Sequence, residues 1–412
     1  MRDRAWAGLV SVALAGLFLA FACPPGERRN ACLWDEDTLR TEAAGLPGVA
    51  EIIVGRFDRF PDLYYEMRLT RVTPLIESDP DQLEAYDDAG VACDRLGRDD
   101  EAIEWMAQKL AAIERLEASG EDVSEHRYRY LANLGTFHVH RWVRGGGDRG
   151  DMSDLEQARD LIAEAIELNP DAHFGRERYQ LLAIKWLLDP PVPGEDEDFY
   201  RVPLIFDADP ALRGNSYFPR GNTLPEHGYG DAIEGLTGLI ALGAAWESVD
   251  IFHALTAALR QRGDASVALL AQLRREELLD EGRVSFYPVE SLEYPDWVEA
   301  AGVYDSQEVK IKAYYKAARA EAESWREARN AYLLERLTHG DHPDINATFW
   351  ASWEEPSQPP QMPGSFLGLS RPMLALVIVS LTLVVGVGLF VAGSLMAAKL
   401  YGMHIRRTNT TA

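Results

Sequence analysis

The chain is poor in basic residues and in cysteine. Its 412 residues include 41 Lys and Arg against 66 Asp and Glu, a formal net charge of −25. Contact with nucleic-acid phosphates needs clustered Lys and Arg, so this balance excludes an even nucleic-acid-binding surface. Cys23 and Cys32 lie in a loop with Pro and Gly and could pair as a disulfide if Cys23 carries no lipid. Cys93 falls on an apolar helix position and is predicted to be a buried thiol.

The sequence also lacks the short motifs of common enzymes. No GxSxG, HExxH or paired CxxC occurs, so we predict no catalytic residues and no cofactor. The glycines within 145–150 are not followed by the Lys-Ser/Thr of a phosphate-binding loop, which favours a flexible loop. His339 and His342 in the segment HGDHPD are weak metal candidates, because their spacing matches no established site. A histidine at a helix end, followed by a solvated loop, is the preferred interpretation.

The longest apolar runs lie at the two ends of the chain. Residues 5–22 are uncharged and follow Arg2 and Arg4. We therefore interpret 1–22 as a signal peptide or an uncleaved signal anchor, with lipidation at the next residue as a third alternative. Residues 373–396 form a stretch of 24 without a charge. About 20 apolar residues suffice to cross a membrane, so this stretch is predicted to be a transmembrane helix.

Flanking charges set the expected orientation of that span. Lys399, Arg406 and Arg407 follow it, while Arg371 alone precedes it closely. The positive-inside rule places the tail in the cytoplasm, and the amino-terminal signal independently sends the body across the membrane. We therefore expect a single-pass protein of a cell membrane with an extracytoplasmic, periplasmic body. The Pro-rich stretch 351–372 is predicted to be a stiff stalk between body and span.

Two segments in the middle of the chain, 83–116 and 128–171, share one pattern. Large and small residues recur at helical spacing, a turn interrupts them, and a second amphipathic helix follows. The pattern resembles the tetratricopeptide repeat (TPR), a pair of antiparallel helices with a period of 34 residues. Small residues of the two helices are 12 apart in the first copy and 23 apart in the second, an insertion of 23 − 12 = 11 residues. The predicted packing positions are Tyr86, Ala89, Gly90, Gly97 and Ala102 in the first copy and Leu134, Gly135, Ala158, Ala165 and Pro170 in the second.

Two weaker copies flank these. Residues 249–282 carry the pattern with Thr256 in place of the small glycine, and 49–82 is predicted to be a degenerate unit in which only the second helix looks right. Pro74 is expected to kink or split that helix. The stretch 32–176 as a whole resembles TPR proteins of the bacterial envelope.

The fold predicted from this resemblance is all-α. It is a TPR-like α-solenoid of antiparallel helix pairs with additional helices, plus one carboxy-terminal transmembrane helix. The predicted segments are a signal (1–22), a loop segment (23–48), the repeat domain (49–188), an irregular linker (189–228), a second helical region (229–350), the stalk (351–372), the span (373–396) and a basic cytoplasmic tail (397–412).

In TPR arrays the first helix of each unit lines a concave groove that takes a peptide. Glu84, Asp87 and Asp94 share one helix face, and we expect them to be exposed because unpaired carboxylates are costly to bury. They favour a neutral or basic ligand, although they could instead serve only solubility. The groove residues implied by the resemblance are Glu84, Asp87, Val91, Asp94 and Arg95 in the first copy and Arg129, Ala132, Thr136, Val139 and His140 in the second.

The predicted function is that of a non-enzymatic scaffold. A membrane-anchored TPR protein of this kind binds another protein or peptide on the extracytoplasmic side of a bacterial envelope, and this rests on analogy of fold. Two alternatives stay open. One is an enzyme or metal-dependent unit in 190–350, with the repeats recruiting its substrate. The other is a structural subunit of an envelope complex.

Overall fold

The part of the chain that the structure describes is helical throughout. The structure is a computed structural model, and it describes residues 47–170, 176–190, 202–213, 221–286 and 305–363. These residues form twelve α-helices and no strand, which confirms the predicted all-α class. None of the helices in these ranges is long and apolar enough to span a membrane.

Several predicted features lie outside the described residues. They are the signal segment 1–22, the cysteine pair Cys23 and Cys32, the span 373–396 and the tail 397–412. Cys93 is described and is a buried free thiol, as predicted.

The helices are numbered here in chain order. Two short 3-10 helices, Pro225–His227 and Ala245–Glu247, lie between them. The α-helices are α1 Val49–Val54, α2 Asp62–Ser78, α3 Leu83–Arg95, α4 Asp99–Ser119, α5 Ser124–Arg144, α6 Ser153–Leu168, α7 Arg176–Leu188, α8 Ile205–Ala208, α9 Ala232–Ala241, α10 Val249–Arg262, α11 Ala265–Asp280 and α12 Asp305–Thr338.

Consecutive helices from α2 to α7 pack against one another, and α3 also contacts α5 directly. Two glycines permit the close approach. A Cβ on Gly90 would lie 2.8 Å from the Met106 side chain and 3.0 Å from Phe137. A Cβ on Gly135 would lie 2.8 Å from the Ile162 side chain. Real Cβ atoms do not tolerate such distances, so each glycine lets one helix touch its neighbour.

The second helical region is not a separate unit. Tyr179 of α7, Leu236 of α9 and Phe252 of α10 belong to one buried cluster, which also includes Ile52 of α1 and Trp142 of α5. Helix α7 contacts α9, α9 contacts α10, and α10 contacts α11. The array of helices therefore continues through what the sequence pattern divides into two regions.

Helix α12 joins the end of this array to its beginning. It contacts α11, α1 and α2. Near its start, Gln307 donates to Ser266 of α11 at 3.1 Å. Farther along, Arg329 pairs with Asp58, which precedes α2. The loop after α12 then places Asp344 against Arg68 of α2. The helices are thus closed by a 34-residue helix rather than left open at both ends.

Two predicted segments, the linker 189–228 and the stalk 351–372, contain described residues that pack against the body. The linker 189–228 contains α8, whose Ile205 and Phe206 are fully buried in the shared core. The first part of the predicted stalk lies along the body, because Trp325 and Arg56 both donate to Glu355, at 2.7 and 3.2 Å. Apolar and charged partners that are distant in sequence hold both segments, and the local abundance of proline gives no sign of them.

The flanking repeats agree with the sequence pattern in part. Helices α10 and α11 form a helix pair within 249–282, the range in which the pattern predicts one. Pro74 lies inside α2 without dividing it. The main contacts of helix α1 are with α9, α11 and α12. Residues 49–82 therefore do not form a helix pair, since α1 packs elsewhere.

Candidate partner-binding groove

The predicted groove residues lie on α3 and α5, and these two helices contact each other directly. Val91 and Ala132 are fully or almost fully buried, at 1% and 0% exposure. Val139 packs against the shared core. A peptide that entered the predicted groove would have to displace these contacts, so the array has no open apolar groove at these positions.

Asp87 is buried in an ion pair, and the expectation that it is exposed is wrong. Both of its carboxylate oxygens lie 2.6 Å from Nζ of Lys109 on α4. Asn133 of α5 donates to the same carboxylate at 3.0 Å. Burial lowers the pKa of Lys109, and the facing carboxylate offsets part of that effect. The group ties three helices together through charge-assisted hydrogen bonds.

Asp94 is also buried, and here too the expected exposure is wrong. Its Oδ1 lies 2.7 Å from His140 Nδ1 and accepts a hydrogen bond from Arg144 at 3.0 Å. Burial by itself would raise the pKa of Asp94, but its interactions with His140 and Arg144 outweigh burial and lower that pKa to about 2. His140 thus bonds to Asp94, although both residues are predicted to contact a bound peptide.

Arg95 forms hydrogen bonds with the end of another helix of the same chain. Its guanidinium donates to the carbonyl oxygens of Leu242 and Gly243, at 2.8 and 2.9 Å. These carbonyls follow the last turn of α9, where unsatisfied acceptors and the helix dipole favour a cation. A residue assigned to ligand binding therefore caps a helix of the same chain.

Thr136 faces α7 rather than solvent. Its hydroxyl donates to the Ala132 carbonyl at 2.7 Å and accepts from Gln180 of α7 at 2.8 Å. The side of α5 that the repeat pattern assigns to ligand binding thus supports the next helix of the array.

Two groove candidates, Glu84 and Arg129, lie near the amino-terminal ends of α3 and α5 and are at least partly exposed. The Glu84 side chain is 72% exposed and lies 3.4 Å from His126 of α5. Arg129 is partly buried and pairs with Glu125 at 3.2 Å. We call this charged part of the surface the α3/α5 edge (Glu84, Glu125, His126 and Arg129).

Most of the predicted packing positions are buried, and the others lie at helix turns or ends. Ala89, Ala102, Ala158 and Ala165 are all fully buried, and Tyr86 is nearly so. Leu134 packs against the cluster that contains Tyr86. Gly97 has a φ of +71°, which suits the turn between α3 and α4. Pro170 follows the end of α6 at Leu168.

The HGDHPD segment serves the contact between α12 and α2. His342 is stacked on Tyr64 with 4.4 Å between ring centroids, and its Nε2 lies 3.1 Å from the Tyr64 carbonyl oxygen. Asp344 accepts from Arg68 and from Arg71, at 2.8 and 2.7 Å. His339 is exposed at the helix end. Over the described ranges, no three His, Cys, Asp or Glu residues are placed to hold a metal ion.

The sequence interpretation missed Lys109 and Asn133. A signal for the lysine exists, because Ala102, Met106, Lys109 and Ile113 recur at helical spacing on the buried face of α4. A lysine among apolar residues on such a face predicts a buried carboxylate partner.

No protein-family model, curated protein or solved structure matches the chain. The described residues define an all-helical protein in which α12 connects the two ends of the array.

Proposed function

We propose that the protein is a membrane-anchored helical-repeat scaffold that binds another protein on the extracytoplasmic side of a bacterial envelope. The observation that carries this proposal is the array of helix pairs with small residues at its helix contacts. Gly90 lies against Met106 and Gly135 against Ile162, and these close contacts between helices support a TPR-like arrangement. Arrays of this kind present extended surfaces to partner proteins.

The anchoring part of the proposal rests on the sequence. The uncharged stretch 373–396 and the cations at 399, 406 and 407 support one span with a cytoplasmic tail. Residues 5–22 after Arg2 and Arg4 support export of the body.

The partner is proposed to bind at the α3/α5 edge. The remaining groove candidates are occupied by contacts within the chain, whereas Glu84 is exposed. The whole chain has a net charge of −25, so a basic partner segment would be attracted to this edge. Exposed charges act mainly on the association rate and on specificity, and they are screened by salt.

The experiment is capture of partners by crosslinking and pull-down from membranes. The test variant is Glu84→Lys, and the matched control is Glu104→Lys, because Glu104 is exposed on α4, the other helix of the pair. The proposal expects recovery of the partner to fall in Glu84→Lys and in high salt, and to be unchanged in Glu104→Lys. Equal recovery from both variants at both salt concentrations would refute binding at this edge.

A further inference from the structure

A partly buried group of arginines surrounds one indole ring in a part of the fold that the proposed function does not use. Trp246 lies in the 3-10 helix before α10, and three guanidinium carbons approach its ring. Those of Arg274, Arg59 and Arg319 lie 4.1, 4.5 and 5.6 Å from the ring centroid. The arginines come from α11, from the loop after α1 and from α12. We call this group the Trp246 site.

Carboxylates compensate two of the three arginines. Glu277 pairs with Arg274 at 3.1 Å and with Arg319 at 2.9 Å. Glu281 gives Arg274 a second partner at 3.3 Å. The nearby Arg326 pairs with Glu323. Each of these acids is therefore paired with an arginine other than Arg59.

Arg59 has no such partner. Within the described residues, no carboxylate lies within the 4.0 Å of an ion pair, and its hydrogen bond is to the Gly55 carbonyl at 3.1 Å. Its Nε is buried and has no acceptor, and the same is true of Arg274 Nε. Buried donors without acceptors are rare in folded proteins and call for an explanation. Burial and repulsion by Arg326 lower the pKa of Arg59 to about 10, and the attraction of the more distant Glu323 offsets only part of this effect.

We propose that the Trp246 site binds a phosphate group, with Arg59 as its principal donor. Arg59 and Trp246 are both partly exposed. Guanidinium groups bind phosphate oxygens with pairs of charge-assisted hydrogen bonds. A tetrahedral anion directs its oxygens along several directions, and it can therefore accept from arginines that arrive from three different elements. A carboxylate, whose oxygens share one plane, fits this arrangement less well.

The phosphate could be free in solution or belong to a lipid headgroup, and the experiment separates the two sources. Full-length protein in detergent is melted at constant ionic strength with added inorganic phosphate and, separately, with a short-chain phosphatidylglycerol. A rise in melting temperature with inorganic phosphate supports a free-phosphate site. A rise with the lipid alone supports a headgroup site. No rise with either ligand would overturn the proposal.

Substitution of Arg59 distinguishes a binding role from a structural one. In Arg59→Gln, the apparent affinity for the stabilising ligand should fall about tenfold or more, the effect of removing one hydrogen bond between charged groups. Without ligand, this variant loses the contact of Arg59 with the Trp246 ring and its hydrogen bond to Gly55, so its own melting temperature is the baseline for its response to ligand. Arg59→Lys should keep part of the binding, and Arg159→Gln, at a surface arginine paired with Asp160, should bind like wild type. A lower melting temperature of Arg59→Gln without ligand, together with an unchanged response to ligand, would refute the site.

Discussion

The buried pair of Lys109 and Asp87 gives the sharpest test of the packing described above. Their side chains are 0% and 3% exposed, and Nζ lies 2.6 Å from both carboxylate oxygens. Lys109→Met would fill a similar volume but leave the carboxylate buried with a neutral partner, Asn133. Removing one member of a buried ion pair costs about 3–5 kcal/mol. We expect a loss of that size in the free energy of unfolding.

The double variant Lys109→Met with Asp87→Asn should recover most of this loss. An amide at position 87 can still bond to Asn133, and neither charge remains to be buried. Replacing a buried pair by neutral groups of similar size is often close to neutral. The two substitutions should therefore be strongly non-additive, and the double variant should lose much less stability than the sum of the two single losses.

Urea unfolding of the full-length protein, followed by tryptophan fluorescence, measures these free energies. A loss below about 0.5 kcal/mol for Lys109→Met is typical of surface substitutions and would show that the lysine is hydrated. Additive losses in the double variant would also refute the reasoning, because independent effects would mean that the two groups do not interact.

Three further predictions concern packing, pH and topology. Ala102→Leu should overpack the contact between α3 and α4 and cost about 1–3 kcal/mol, whereas Ala107→Leu at an exposed position of the same helix should change the unfolding free energy by less than about 0.5 kcal/mol. Burial raises the pKa of Glu177 from 4.5 to about 7, so its contribution to stability falls by about 3 kcal/mol as pH rises through that interval. Thermal melts between pH 5 and 8 should show this fall in wild type relative to Glu177→Gln, and parallel curves would refute it. Burial lowers the pKa of His253 to about 3, and this histidine adds a slope of opposite sign to the melts of both proteins. Protease added to spheroplasts should digest the body, 23–370, and spare the tail, and a protected body would refute the orientation.

Local periodicity predicts much of the helical framework. Helices α10 and α11 both lie within 249–282, where the pattern predicts a helix pair, and Gly90 lies at a close contact between helices. These features depend on residues three to seven positions apart, which a single helix brings onto one face. The same reasoning places Cys93 in the core.

The groove acids could not be predicted in this way, because their partners are distant in sequence. Asp87 and Asp94 were interpreted as exposed on the ground that buried carboxylates are unfavourable, and this ground fails when a cation is buried beside them. Lys109 is 22 residues from the first acid, and Arg144 is 50 residues from the second. Helical periodicity carries no information about which face of another helix will meet a given residue.

The closure by α12 limits how many repeats this protein can contain. At about 1.5 Å per residue, its 34 residues extend over about 51 Å, and it contacts α11 as well as α2. An open array can gain or lose a repeat by duplication or deletion without disturbing its ends. Here an added helix pair would move α2 away from Asp344, and a lost pair would force the ends past each other. We therefore expect natural variation in length to occur in loops such as the insertion between α5 and α6, with the number of helix pairs held constant.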